Sequence, residues 1–152
     1  MKTVLLLGVL ALLIAVAVVI VYVRLSPTDM ARYHLPPAAT EPGDSGTANS
    51  FTAARQITTS APGVLQAVMT LADRQPRNTL VAGSVDENLL TFETRSRLMG
   101  YPDYTTVTVV DDDSPLLIVQ GRSRFGKSDM GVNWARVQNW LTQLGPLVVP
   151  LS

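Results

Sequence analysis

The feature that most constrains this chain is a run of 20 residues, Val4 to Val23, without a single charged side chain. Only Gly8 and Tyr22 depart from aliphatic character. An α-helix rises about 1.5 Å per residue, so the run covers roughly 30 Å, the hydrocarbon thickness of a bilayer. Lys2 and Arg24 bracket it, and Tyr22 falls where an amphipathic ring prefers the headgroup level. Residues 1–24 therefore read as a transmembrane anchor, with the membrane engaged through residues 4–23. The competing reading is a cleaved signal peptide, because Ala15-Val16-Ala17 offers a small-x-small pattern. Cleavage there leaves Val18 to Val23 as an exposed apolar start, and signal cores run to about 7–15 residues. Length favours the uncleaved anchor.

The charges set an orientation only weakly. Lys2 and the terminal amine oppose Arg24 and Arg32, a nearly balanced positive-inside signal. A very short basic tail stays in the cytoplasm and exports the rest. The reading is a single-pass protein of the cell inner membrane with its soluble domain in the periplasm.

Composition excludes several chemistries. The chain has 152 residues with 12 basic and 12 acidic side chains, so it carries no net charge. Nucleic-acid binding needs a basic stripe that this balance does not supply. The absence of cysteine removes disulfides, thiolate catalysis, iron–sulfur clusters and cysteine-rich zinc sites, and a single histidine removes multi-histidine metal sites. No cofactor and no metal are expected.

Residues 25–50 hold Pro27, Pro36, Pro37, Pro42, Gly43 and Gly46 among many Ser, Thr and Ala residues. Neither helical nor alternating periodicity survives, so the stretch reads as a flexible tether. His34 lies in it and is given a solvent-facing position with no role.

From Phe51 the pattern becomes that of a folded domain, 51–152. Phe51 to Thr58 reads as a strand. Ser60 caps a helix over about 61–74, with Pro62 in its first turn and Val64, Leu65, Val68 and Leu71 at helical spacing. Four strands follow: Thr79–Ser84, Leu89–Arg97, Tyr104–Val110 and Leu116–Arg122. Their short connections, Gly100-Tyr101-Pro102-Asp103 among them, imply hairpins and an antiparallel sheet. A last helix over about 130–144 presents Trp134, Val137, Leu141 and Leu144 to the core, and Gly145-Pro146 ends it. Trp134 is placed in the core, and Trp140 at its edge or on a contact surface. The tail Leu147–Leu151 is a candidate to pair with a strand edge or dock on a partner. The fold class is α+β: an N-terminal transmembrane helix, then a two-layer antiparallel sheet with two flanking helices.

Gly121 to Ser128 matches G-x-x-x-x-G-K-[ST], the phosphate-binding loop, between a strand and a helix. The wider context is wrong. Such loops belong to parallel α/β sheets with crossover helices, whereas here the Asp111 strand joins the Gly121 strand by a tight turn. Phe125 is also an odd occupant of a loop whose backbone wraps phosphate. The string is read as a chance match, and no nucleotide is expected.

Extended, the same stretch reads Ser123-Arg124-Phe125-Gly126-Lys127-Ser128-Asp129-Met130-Gly131-Val132-Asn133-Trp134-Ala135-Arg136-Val137. It resembles the signature of the family called domain of unknown function 1499, of the form S-R-S-R-x-G-x-S-D-x-G-x-N-x-x-R-(V/I) before a final helix. Phe92 to Asp103 is similar to a second motif, an arginine-bearing strand entering a G-(F/Y)-x-D turn. The resemblance spans about residues 51–144. Many relatives carry a Pro-Asn-Cys segment that this chain lacks, and Gly121 stands where the first serine of the arginine–serine repeat is usual. The resemblance implies a fold and a set of positions, and brings no reaction with it.

Those positions are Arg95, Asp103, Arg122, Arg124, Asp129, Asn133 and Arg136. Asp129 is placed to cap the last helix, and Asn133 and Arg136, three apart, share one of its faces. On the strand, Arg122 and Arg124 point to one side and Ser123 to the other. One reading is a structural network of arginine–carboxylate pairs. The other is a site for an anion, a lipid headgroup or a small polar ligand. No catalytic residue is assigned, since the domain holds neither histidine nor cysteine. A carboxylate pair among Glu93, Asp103 and Asp111 to Asp113 remains a formal acid–base candidate, although Asp111 to Asp113 read better as a solvated turn than as a calcium loop. The functional expectation is a membrane-anchored, non-enzymatic accessory or assembly subunit, or an envelope scaffold, with a membrane protein complex as partner. The alternative is a binding module that uses the Arg/Asp cluster.

Overall fold

The computed structural model describes residues 1–110 and 113–151. It opens with α1 (Lys2–Leu25), a helix long and apolar enough to cross a membrane, whose most apolar window is not buried against the rest of the chain. A single turn of helix follows, α2 (Met30–Tyr33), and then β1 (Gly43–Thr47), β2 (Ser50–Gln56), α3 (Ala61–Asp73), β3 (Asn78–Ser84), β4 (Leu89–Arg95), β5 (Pro102–Val110), β6 (Leu116–Ser123) and α4 (Val132–Leu144). The six strands form one antiparallel sheet in the order β1-β2-β6-β5-β4-β3. The α+β expectation holds, with β1 and α2 as additions.

Alternation decides what each face of the sheet carries. Ala53, Leu90, Phe92, Val107, Val109, Leu117 and Val119 point to one face and meet Val64, Leu65, Val68, Val137, Trp140 and Leu144 of the two helices. There α4 lies over β2 and β6, and α3 over β3 and β5. Ser60 caps α3 by accepting from the Gly63 amide at 3.3 Å, and proline occupies its first turn. The intervening positions, Thr91, Glu93, Tyr104, Thr106, Ile118 and Arg122, point to the opposite face.

That opposite face is not left to solvent. The stretch 25–50, read as a tether, is here a strap plus a strand. Tyr33 is buried with its ring 4.2 Å from that of Tyr104, Ala39 packs on Ala54, Leu116 and Ile118, and Gly43–Thr47 pairs with β2. His34 does not stand free: its Nδ1 lies 2.9 Å from Thr91 Oγ1. The physical reason is the composition of the sheet face, whose threonines, Tyr104 and Arg122 supply hydrogen-bond partners for a non-repeating segment.

On α4 the expected core positions Val137, Leu141 and Leu144 are buried, but the two tryptophans differ from expectation. Trp134, placed in the core from its spacing, is 54% exposed, while Trp140 is 1% exposed and meets Phe92 edge-on at 5.4 Å. The buried positions are Asn133, Val137, Trp140, Leu141 and Leu144, a stripe that begins on a polar residue. After α4, Gly145–Leu147 forms a 3-10 turn, and Val148 bridges Ile57 just beyond β2. The tail thus covers the end of the strand that β1 does not reach.

Candidate functional site

The seven residues singled out by sequence fall on two faces of the sheet. Asp103 and Ser123 are register partners on β5 and β6, and both point toward the helices. Asn133 and Arg136 lie on the facing first turns of α4. The four side chains close a ring. Ser123 Oγ donates to Asp103 Oδ1 at 2.7 Å, and Arg136 Nη2 donates to Asp103 Oδ2 at 3.0 Å. Arg136 Nη1 donates to Asn133 Oδ1 at 2.8 Å, and Asn133 Nδ2 returns to Ser123 Oγ at 3.0 Å. Asn133 is fully buried and the Arg136–Asp103 pair is mostly so. A buried charge pair is tolerable when its remaining donors and acceptors are also filled, and here the Asn133 amide and the Ser123 hydroxyl fill them. The ring ties β5, β6 and α4 together and turns its polar atoms on one another.

Gly121 permits that ring. A Cβ at this position would lie 2.9 Å from Asn133 Oδ1. In this chain Gly121 leaves Asn133 the room to sit close against β6. Asp129 holds the entrance to α4, accepting from the amides of Gly131 at 2.9 Å and Asn133 at 3.0 Å. Burial raises the Asp129 carboxyl, but the backbone donations from Asn133 and Gly131 outweigh it and leave its pKa below the ordinary aspartate value.

Arg122 and Arg124 point the other way, as β-strand alternation requires, and they hold the strap. Arg122 Nη2 donates to the Tyr33 carbonyl at 2.5 Å and to Thr106 Oγ1 at 3.1 Å, Nη1 reaches the Arg32 carbonyl at 3.2 Å, and the guanidinium lies 5.3 Å from the Tyr33 ring. Its Nε is buried without a partner among the described residues. Burial lowers the Arg122 pKa, with Tyr33 opposing and Arg32 adding to the effect. Arg124 Nη1 donates to the Ser26 carbonyl at 3.3 Å, one residue beyond α1. On the same face Tyr104 donates to Glu93 Oε2 at 3.0 Å and contacts Thr28 Oγ1 at 2.8 Å. Burial is the main cause of a raised Tyr104 pKa, so the phenol stays protonated. Arg95, the seventh residue, pairs with Glu93 at 2.6 Å and donates to the Gly100 carbonyl.

The structure thus joins Asp103, Asn133, Arg136 and Asp129 in one network, sets Arg122 and Arg124 in a second, and leaves Arg95 at the edge of the second. Sequence reading missed Ser123 as a ring member and missed Thr28, Tyr33 and Tyr104 as partners. The signal for the latter was the run of Tyr104, Thr106 and Thr108 on one face of β5, polar yet buried. Of the formal acid–base candidates, Asp103 is spent in the ring and Glu93 on Arg95 and Tyr104; Asp111 and Asp112 lie outside the described residues. Among the described residues, no group of three His, Cys, Asp or Glu side chains is placed to hold a metal.

The Gly121–Ser128 string leaves β6 and reaches α4 only at Val132. The strand before it, β5, is its antiparallel neighbour. Phe125 has a partner that its motif does not predict: its ring lies 6.4 Å from Tyr22 near the end of α1 and 5.7 Å from Tyr101.

No curated protein is similar enough in sequence to count as a match. A family model described as a protein of unknown function (DUF1499) matches residues 27–144, beginning in the strap rather than at residue 51 where the motif resemblance begins. That match covers more than half of the chain, from the strap over the sheet to the end of α4, and the chain belongs to the DUF1499 family.

Proposed function

We propose that this chain is a single-pass membrane protein whose non-catalytic α+β domain sits at the membrane surface as an accessory or assembly subunit, or as an envelope scaffold. The observation that carries the reading is the clasp between the domain and the exit of α1. Arg124 holds the Ser26 carbonyl, Arg122 holds the strap at Tyr33, and Phe125 meets Tyr22. Arg124 engages the helix exit itself and Arg122 the strap that follows it, which ties the domain to the end of α1. A fixed presentation suits a subunit or scaffold that must offer one face to a partner. The closed Asp103–Ser123–Asn133–Arg136 ring supports the same view, because its polar atoms are consumed internally.

The clasp also favours an anchor over a cleaved leader. Val18, Val19 and Val21 are exposed on the helix, and cutting after Ala17 would present them to water at a cost of about 25 cal/mol per Å². Location in an inner membrane, with the domain in the periplasm, completes the proposal. Alkaline carbonate extraction is expected to leave the chain in the membrane pellet. A C-terminally tagged chain, solubilised in mild detergent, is expected to bring down a stoichiometric set of membrane proteins identified by mass spectrometry. Recovery of the chain alone would overturn the subunit reading.

The second reading, a binding module built on the seven-residue cluster, lacks a common surface for those residues. One of them, Arg95, does line a basic cleft, and that observation keeps a ligand in view.

A further inference from the structure

We propose that the cleft between the exit of α1 and the β4–β5 end of the sheet binds the phosphate headgroup of an anionic phospholipid. The inference rests on the reading of α1 as a membrane anchor. The cleft has a volume of about 530 Å³ and is lined by Arg24, Arg77, Arg95 and Arg97, with Glu93 and Thr79. Four guanidiniums face one carboxylate, and that carboxylate is already committed. Glu93 Oε1 takes Arg95 Nε at 2.6 Å, and its Oε2 accepts from Tyr104 and Thr28. Among the described residues, Arg24, Arg77 and Arg97 have no ion-pair partner. Charges of one sign crowded around a concavity repel one another until an anion enters.

The cleft is also constructed rather than incidental. Gly100 has φ +74°, and a Cβ there would come within 3.1 Å of Arg24 Cγ and Nε. Only glycine combines that backbone with that approach. Arg77 sits at φ 58° on the turn before β3, tied to β4 by its Nε donating to the Arg95 carbonyl and its own carbonyl accepting from the Arg95 amide. Two unusual backbone positions thus bring Arg24 and Arg77 to the rim.

Depth identifies the anion. Arg24 is the penultimate residue of α1, so in an anchored chain the cleft opens at headgroup level. Beside it stand Leu98, 82% exposed, and the Tyr22–Phe125–Tyr101 aromatic group. Arginine with an exposed aliphatic chain and aromatic rings is the composition of a membrane interface. Guanidinium forks match phosphate oxygens two at a time. A soluble phosphate compound offers the same oxygens but has no use for the apolar rim.

The test uses the full chain in detergent, examined by native mass spectrometry with phosphatidylglycerol or phosphatidylcholine at matched concentration. Phosphatidylglycerol is expected to be retained in preference. Arg77→Gln and Arg97→Gln should each weaken its retention roughly fivefold and leave phosphatidylcholine unaffected. Arg74→Gln, an exposed arginine outside the cleft, should change neither. Arg97→Gln carries the result if Arg77→Gln lowers the melting temperature, since the Arg97 side chain makes no hydrogen bond among the described residues. Equal retention of the two lipids, or an equal loss in Arg74→Gln, would overturn the site. Displacement of phosphatidylglycerol by inorganic phosphate at equal concentration would overturn the lipid assignment in favour of a soluble anion. The intact mass in the same spectra reads the anchor separately. A chain cut after Ala17 that still selects phosphatidylglycerol upholds the site and overturns the anchor, and an uncut chain without selectivity does the reverse.

Discussion

Gly121 meets Asn133 across the β6–α4 interface, and an added Cβ would stand 2.9 Å from Asn133 Oδ1 and 3.0 Å from its Cβ. Asn133 has no room to retreat without breaking the bonds to Ser123 and Arg136. Gly121→Ala is therefore expected to destabilise the domain by about 1–3 kcal/mol, measured by urea denaturation; an unchanged midpoint would mean that the ring yields at little cost. Asp129 adds a pH dependence. Its folded pKa lies below the unfolded value, so its contribution is present at neutral pH and is lost as pH falls through and below about 4. Asp129→Asn keeps an oxygen acceptor for the helix amides but removes the charge. Its melting temperature should fall less steeply on acidification than that of the native chain, with parallel acid limbs counting against the carboxylate. The role of Asp129 at the helix entrance was legible because it stands just ahead of the helix, although the N-cap position itself is Gly131. The reason for Gly121 was not, because its constraint lies 12 residues away on another element and leaves no local pattern.

At the scale of elements, strands and helices with a regular apolar repeat were readable, and the two errors have a common cause. The core stripe of α4 starts at Asn133. A polar residue buried by its hydrogen bonds counts as solvent-facing in any hydrophobic pattern, so the pattern finds Val137, Leu141 and Leu144 but starts the stripe at Trp134 in place of Asn133. Fluorescence separates the two tryptophans: Trp134→Phe should remove the iodide-quenchable emission, and Trp140→Phe should leave it. The strap escaped for a related reason. Thr28 meets Glu93, Tyr33 meets Tyr104 and Arg122, and His34 meets Thr91, so each side chain serves a different partner and no period arises. Tyr33 is 4% exposed and stacks on Tyr104. Tyr33→Ala is expected to free the strap locally without melting the helix face of the sheet. Limited trypsinolysis at Arg32 should then proceed many times faster than in the native chain, and an unchanged rate would mean that the carbonyl contacts of Arg122 suffice.

For the whole molecule, the question is which end of the sheet stands nearest the membrane. β4 runs from Leu89 to Arg95, so the β3–β4 turn at Asp86 and the β4–β5 loop at Leu98 lie at its opposite ends. At about 3.3 Å per residue that separation is roughly 20 Å or more, several times the depth of an interfacial contact. The Leu98 end is also the end where Arg24 packs on Gly100 and Tyr22 meets Phe125. If α1 spans a bilayer, this geometry leaves Leu98 against the headgroups and Asp86 well into water. The chain has no cysteine, so Leu98→Cys and Asp86→Cys each give a uniquely labelled protein, and both side chains are exposed enough to be replaced at little cost to stability. With a nitroxide at each site in proteoliposomes, oxygen, which concentrates in the bilayer, should broaden the Leu98 signal more than a water-soluble nickel chelate does. The order should reverse at Asp86. Equal accessibility at the two sites would mean that the domain swings free of α1, and the clasp formed by Arg122, Arg124 and Phe125 would then be too weak to set the orientation on which both the scaffold and the headgroup site depend.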